Sequence, residues 1–209
     1  SHLIMTPFER SLGIWRELWK AVEKANLLVQ VLDARNPLFF FSRDLFKYSH
    51  EVNKDCQHLL VMNKADLLTA RQRELWLDYF EENNLNVLFF SNMPPVETAE
   101  SQNTTDCPIS SPTDLLDKIK QLLSGKHGVA SFVGYPNVGK SSTINSILGH
   151  AQAAVSSTPG KTKHIQTFEL GDFTLCDCPG LVFPNMAASK SELLLNGVLS
   201  IDQMKEYLP

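Results

Sequence analysis

Apolar residues fall into short unbroken runs and helical stripes that alternate along the chain. Residues 27–32 form one such run, interrupted only by Gln30 and ended by Asp33. A run this short and without alternation predicts a strand covered on both faces. Residues 58–62, 86–90 and 129–133 predict further strands of the same kind. Near the start, Thr6 as a cap, Pro7 at the first helical position and Glu9 three residues beyond the cap predict a helix start. Phe8, Leu12, Trp15, Leu18, Trp19 and Val22 then recur at helical spacing, so an aromatic face is expected to pack into the core. A second helix is predicted over 69–82, capped by Thr69 with Gln72, and a third over 112–123, capped by Ser111 and stopped near Gly125.

Strands alternating with helices imply an α/β fold, a mostly parallel sheet with helices on both faces. One region breaks the parallel rhythm, because residues 165–170 and 173–177 alternate around Gly171-Asp172, a hairpin signal that adds one antiparallel strand. Residues 92–111, crowded with Pro, Ser, Thr, Asn and acidic side chains, read as an exposed, mobile connection.

Composition narrows the class. Of 209 residues, 43% are hydrophobic and 20% charged, which suits one domain plus a fragment of another. No apolar run approaches the ~18 residues of a membrane helix, and no basic-then-apolar leader opens the chain, so a soluble protein that avoids membranes is expected. Ser1-His2 reads as the remnant of an expression tag. The net charge of −4 lacks the basic excess that marks a nucleic-acid binder, so any RNA contact must be local. Cys56, Cys107, Cys176 and Cys178 are too scattered for a disulfide framework and suit a reducing compartment. Cys176 and Cys178 have no partner pair at zinc-binding spacing.

The most informative stretch is Gly134-Tyr135-Pro136-Asn137-Val138-Gly139-Lys140-Ser141, which fits G-x-x-x-x-G-K-[ST] between the strand ending at Val133 and a helix running to about Leu148. Its glycines let backbone N–H groups, including those of Val138, Gly139 and Ser142, wrap a phosphate chain. Lys140 reaches the terminal phosphates, and Ser141 can hold Mg²⁺. About forty residues on, Asp177-Cys178-Pro179-Gly180 ends the hairpin. Asp177 can hold Mg²⁺ through water, and the Gly180 N–H can sense a γ-phosphate. Upstream, Asn63-Lys64-Ala65-Asp66 follows the second strand. Asp66 can accept from a guanine's ring N–H and exocyclic amine, Asn63 can brace the phosphate loop, and the Lys64 stem can cover the base. A polar turn capping the next helix is the alternative reading of that segment. Phe90-Ser91-Asn92 can offer backbone N–H groups to the guanine oxygen.

These motifs resemble those of a Ras-like GTPase in the order G4-G5-G1-G2-G3, and the chain is similar to the circularly permuted P-loop GTPases of the YlqF/YawG family. Asp33-Ala34-Arg35-Asn36-Pro37 matches that family's D-A-R-x-P signature. Residues 6–10 with the Trp-rich stretch after them, and residues 158–167, are similar to the eukaryotic members that act late in cytoplasmic maturation of the large ribosomal subunit. The resemblance implies a G domain over 1–184 and the start of a helical domain over 185–209. It implies a cytoplasmic enzyme, working as a monomer, that binds GTP and GDP with Mg²⁺ and hydrolyses GTP. Its implied partners are the ribosomal RNA and proteins of a pre-ribosomal large subunit, and an assembly or export factor to be released. Thr162 resembles the switch I threonine that joins Mg²⁺, with Thr158 as the alternative. Asn137 resembles the loop asparagine that ligates K⁺ in cation-dependent relatives; otherwise it stabilises the turn.

Leu181 stands where Ras-like proteins place a water-orienting Gln. Turnover by the chain alone is therefore expected to be slow, with the ribosome or K⁺ stimulating it. The catalytic His of bacterial relatives has no counterpart in Pro7-Phe8-Glu9-Arg10, and His164 reads as an exposed loop residue. Lys161, Lys163 and His164 form a basic cluster able to touch RNA or to solvate a loop, while Arg35 reads as an ion-pair partner within the domain. Rival readings are a nucleolar or mitochondrial ribosome-assembly GTPase and a guanine-nucleotide binding module with incidental hydrolysis; an ATP-using kinase leaves residues 63–66 without a reason.

Overall fold

The computed structural model describes residues 4–5, 8–93, 107–124, 127–149, 153, 164–183, 186–187 and 195–196. Along the chain run β1 (Ile4–Met5), α1 (Leu12–Lys24), β2 (Leu27–Asp33), α2 (Pro37–Phe40), α3 (Arg43–Val52) and β3 (Gln57–Asn63). A 3₁₀ turn (Ala65–Leu67) leads to α4 (Ala70–Glu82), β4 (Val87–Phe89), α5 (Pro112–Leu122), β5 (Gly128–Val133) and α6 (Lys140–Leu148). The hairpin β6 (Gln166–Leu170) and β7 (Phe173–Asp177) follows, then β8 (Met186–Ala187).

The main sheet has the order β4-β3-β2-β5-β7-β6, all parallel except β6, which runs antiparallel to β7 as the hairpin signal requires. A separate antiparallel pair joins β1 to β8. All of β2 is buried, which explains its continuous apolar run. The polar residue inside it, Gln30, exchanges hydrogen bonds with the backbone of Ser42: Nε2 donates to the Ser42 carbonyl (2.8 Å) and Oε1 accepts from the Ser42 N–H (3.0 Å). Ser42 caps α3, so a buried amide in the strand fixes where that helix begins. Neither α2 nor α3 is predicted by the apolar pattern. The capping boxes of α4 (Thr69, Gln72) and α5 (Ser111, Asp114) form as their sequences require.

The first helix departs from expectation. It begins at Leu12 with Ser11 at its N-cap, and Phe8 and Glu9 lie outside it; Thr6 and Pro7 fall outside the described residues. Glu9 is spent differently, accepting from the Ser11 N–H (2.8 Å) and, through its carbonyl, from the Trp15 indole N–H (2.8 Å). Leu18, Ala21 and Val22 are buried, whereas Leu12 and Trp19 are exposed, so the aromatic stripe only partly enters the core. Gly125 and most of the connection at 92–111 fall outside the described residues.

Candidate functional site

The segments at 33–37, 63–66, 90–92, 134–141 and 177–180 each lie at the C-terminal end of a parallel strand, the edge where open α/β sheets bind ligands. The loop after β5 has Gly139 at φ +101°, and a Cβ there would collide with the Asn63 side-chain amide. Only glycine satisfies both the left-handed backbone and the close approach. Asn63, buried at the end of β3, donates from Nδ2 to the Val138 carbonyl (2.7 Å). Asn137, exposed at the loop's tip, is itself left-handed (φ +60°), as a turn-stabilising Asn would be.

Lys140 opens α6 and is buried, donating to the carbonyls of Gly134 (3.1 Å) and Tyr135 (2.6 Å). Burial lowers its pKa to about 8, against the opposing pull of Asp177 and Cys178. One residue on, Ser141 Oγ donates to Asp177 Oδ2 (2.6 Å). Asp177 is fully buried, and its Oδ1 has no hydrogen-bond partner among the described residues. Burial raises its pKa, with Ser141 and Lys140 pulling the other way. Gly180 lies against the phosphate loop, since a Cβ there would stand 2.8 Å from Pro136 Cα and 3.0 Å from Lys140 Nζ. Leu181 is buried and donates its N–H to the Gly134 carbonyl (3.2 Å).

The segment after β3 joins two neighbours. Asp66 is exposed, and its Oδ1 accepts from Ser91 Oγ (2.6 Å). Asn92 donates to Asn63 Oδ1 (3.2 Å), and the single hydroxyl hydrogen of Ser146 is shared between Asn92 Oδ1 (2.7 Å) and the Ser142 carbonyl (3.0 Å). Asn63 therefore links the β4 loop, the phosphate loop and α6. Lys64, left-handed at φ +63°, donates to Asp33 Oδ2 (2.7 Å). Arg35 closes on the same carboxylate through Nε (2.9 Å), Nη2 (2.6 Å) and its backbone N–H (3.1 Å), the intradomain ion pair expected of it. Burial pushes the Asp33 carboxyl up, but Arg35 and Lys64 outweigh it and hold its pKa below the ordinary value. These side-chain pairings of Asp33, Ser91, Asn92 and Ser146 are not legible in the sequence; Asp33 carries a signal as the first residue of D-A-R-x-P, Ser91 and Asn92 only as backbone donors to the guanine oxygen, and Ser146 none.

Thr162, Thr158, Lys161 and Lys163 fall outside the described residues. His164 is exposed, and the next N–H, of Ile165, donates to Glu17 Oε2 of α1 (3.1 Å).

Residues 129–207 match the family model described as a 50S ribosome-binding GTPase. Over 98% of its length the chain is 45% identical to Large subunit GTPase 1 of Schizosaccharomyces pombe, and over 99% it is 42% identical to the protein of that name in Saccharomyces cerevisiae. The GDP-bound structure of YlqF from Thermotoga maritima superposes with a TM-score of 0.60 at 20% identity, covering 91% of this chain and 70% of that one. The chain has the circularly permuted P-loop GTPase fold. It spans 38% of each of those two curated relatives. The strand order of the permuted fold fits this: the motif after β3 precedes the phosphate loop in sequence, yet Asn63 touches that loop.

The donors present fit a hard divalent cation. Ser141 Oγ and the buried Asp177 Oδ1, unpartnered among the described residues, are oxygen donors beside a buried ammonium, a cluster that gains from a cation and a phosphate together. Among the described residues no group of three or more His, Cys, Asp or Glu side chains is placed to hold a metal by itself. Mg²⁺ usually takes one or two protein oxygens and fills its remaining positions with water and phosphate. Also among the described residues, no helix is long and apolar enough to cross a membrane.

Proposed function

We propose that this chain is the GTP-binding and GTP-hydrolysing part of a longer protein that acts with the large ribosomal subunit. The observation that carries the nucleotide reading is the bond from Asn63 to Val138, which ties the base-reading segment to the phosphate-reading loop. In this reading Asp66, steadied by Ser91, accepts from guanine, the Lys64 stem flanks the base, and backbone N–H groups of Ser91 and Asn92 face its oxygen. Backbone N–H groups from Asn137 to Ser142, Gly139 among them, hold the phosphates; Lys140 turns to the β- and γ-phosphates, and Gly180 meets the γ-phosphate. Ser141, Asp177 and Thr162 are the candidates to hold Mg²⁺, which supplies positive charge for the phosphate oxygens.

Hydrolysis forms a bond from water oxygen to the γ-phosphorus and breaks that phosphorus's bond to the β-bridging oxygen, releasing GDP and phosphate. Lys140 stabilises charge on the leaving oxygen. The buried Leu181 offers no hydrogen bond to the water, so turnover is slow until something else orders it. Candidates are K⁺ held near Asn137 and ribosomal contacts that arrange Thr162. The relatives' names support a role with the large ribosomal subunit; a late cytoplasmic step, in which a monomer releases an assembly or export factor, is the finer part of this proposal.

Leu181 also favours a second reading, a guanine-nucleotide switch whose hydrolysis is incidental. Multiple-turnover hydrolysis with and without purified large subunits separates the two. Stimulation by subunits supports the first reading, and rates that stay unchanged despite subunit binding support the second.

A further inference from the structure

The carboxylate of Asp33 is 2% exposed, ends β2, and gathers the backbone N–H and guanidinium of Arg35 together with the Lys64 ammonium. Nothing in phosphate chemistry requires this. Lys64 sits in a left-handed conformation between Asn63, turned to the phosphate loop, and Asp66, at the exposed edge. A non-glycine residue at such a φ persists only where its surroundings hold it. Both ends of Lys64 are held: its carbonyl accepts from the Leu67 N–H (3.1 Å), and the ammonium reaches Asp33 (2.7 Å). A Lys stem otherwise loses considerable rotamer freedom when a ligand packs on it.

We propose that Asp33 and Arg35 are positioning residues for guanine nucleotides: they anchor the Lys64 ammonium so that its stem forms a preorganised wall of the base site. This rests on the nucleotide reading above. Arg35 fixes the Asp33 carboxylate in a fork geometry, and Asp33 in turn holds the Lys64 ammonium away from the phosphates by a charge-assisted hydrogen bond. Lys64 then acts through its methylenes, and the phosphates are left to Lys140.

The test is a double-mutant cycle on the purified protein, read as the affinity and dissociation rate of GDP. Asp33→Asn should weaken GDP about tenfold, mainly through faster dissociation, and Arg35→Met, at a half-exposed side chain, should weaken it about threefold. In a Lys64→Ala background both effects should vanish, because the group they position is gone. Lys64→Met, which keeps the stem, should bind GDP more tightly than Lys64→Ala. If Asp33→Asn folds poorly, Arg35→Met alone completes the cycle. Equal losses with and without Lys64 would show a general structural role and overturn the proposal, as would unchanged GDP affinity in Arg35→Met. A wild-type protein that fails to bind GDP would instead overturn the nucleotide reading.

Discussion

The side-chain amide of Asn63 donates to the backbone carbonyl of Val138 at 2.7 Å, across 75 residues of chain. Because Val138 is buried, removing the donor leaves a carbonyl without its partner. Asn63→Ala should therefore cost about 1 to 3 kcal/mol of stability. It should also weaken GDP, since the phosphate loop loses its tie to the base segment. Chemical denaturation alongside GDP titration checks both, and an unchanged midpoint would show that the bond contributes nothing.

His58 predicts an acid limb. Its ring stacks on Phe46 (3.9 Å between centroids), Nε2 lies 2.6 Å from Ser49 Oγ, and His50 is 4.4 Å away. Burial, with a smaller push from His50, lowers its pKa to about 4 from 6.5. The unfolded chain thus takes up a proton below about pH 6.5 that the folded chain refuses until about pH 4. This contribution is fully present above that window and is lost as pH falls through it. Denaturation midpoints between pH 7 and 4 should fall less steeply in His58→Gln, and parallel profiles would reject the assignment.

Ser141→Ala takes from the buried Asp177 carboxylate its hydrogen bond and should cost about 1 to 3 kcal/mol of stability. The Mg²⁺ dependence of GTP binding should weaken beyond what that loss of stability explains. Calorimetry with and without Mg²⁺ would count against a ligand role if the dependence matched the parent's.

Asn137 bears on the cation. Hydrolysis should be faster in KCl than in NaCl at equal ionic strength, and Asn137→Ala should erase the difference. Its left-handed backbone means the Ala variant also loses about 1 kcal/mol of stability, so rates belong well below its melting point. Equal rates in the two salts in the parent would leave the ribosome as the better candidate activator.

What the sequence made legible follows from the range of the forces. Buried runs, capping boxes and the Gly171 hairpin are set by neighbours within a few residues, so β2, β3, β5, α4, α5 and the β6–β7 pair were readable. The start of α1 was misplaced because Glu9 serves the Ser11 N–H and Trp15 instead of a cap at Thr6. Helix α3 was missed because its start is fixed by Gln30, twelve residues upstream in another element. At the site, residue identities were readable from motif spacing, but the pairs Lys64 with Asp33, Asn92 with Ser146 and Ser91 with Asp66 link residues 31, 54 and 25 apart. Such pairs leave no local pattern.

The central claim is that residues 63–66 read guanine while the loop they brace reads phosphate. It is tested most directly by titrating the purified protein, and its Asp66→Asn variant, with GDP, GTP, XTP and ATP in the presence of Mg²⁺. The parent should bind GDP and GTP and discriminate against XTP and ATP. Asp66→Asn should lose about 2 to 4 kcal/mol toward GTP and gain toward XTP, because its amide can donate to the xanthine oxygen. ATP binding as tight as GTP in the parent, or an unchanged GTP affinity in the variant, would contradict the account.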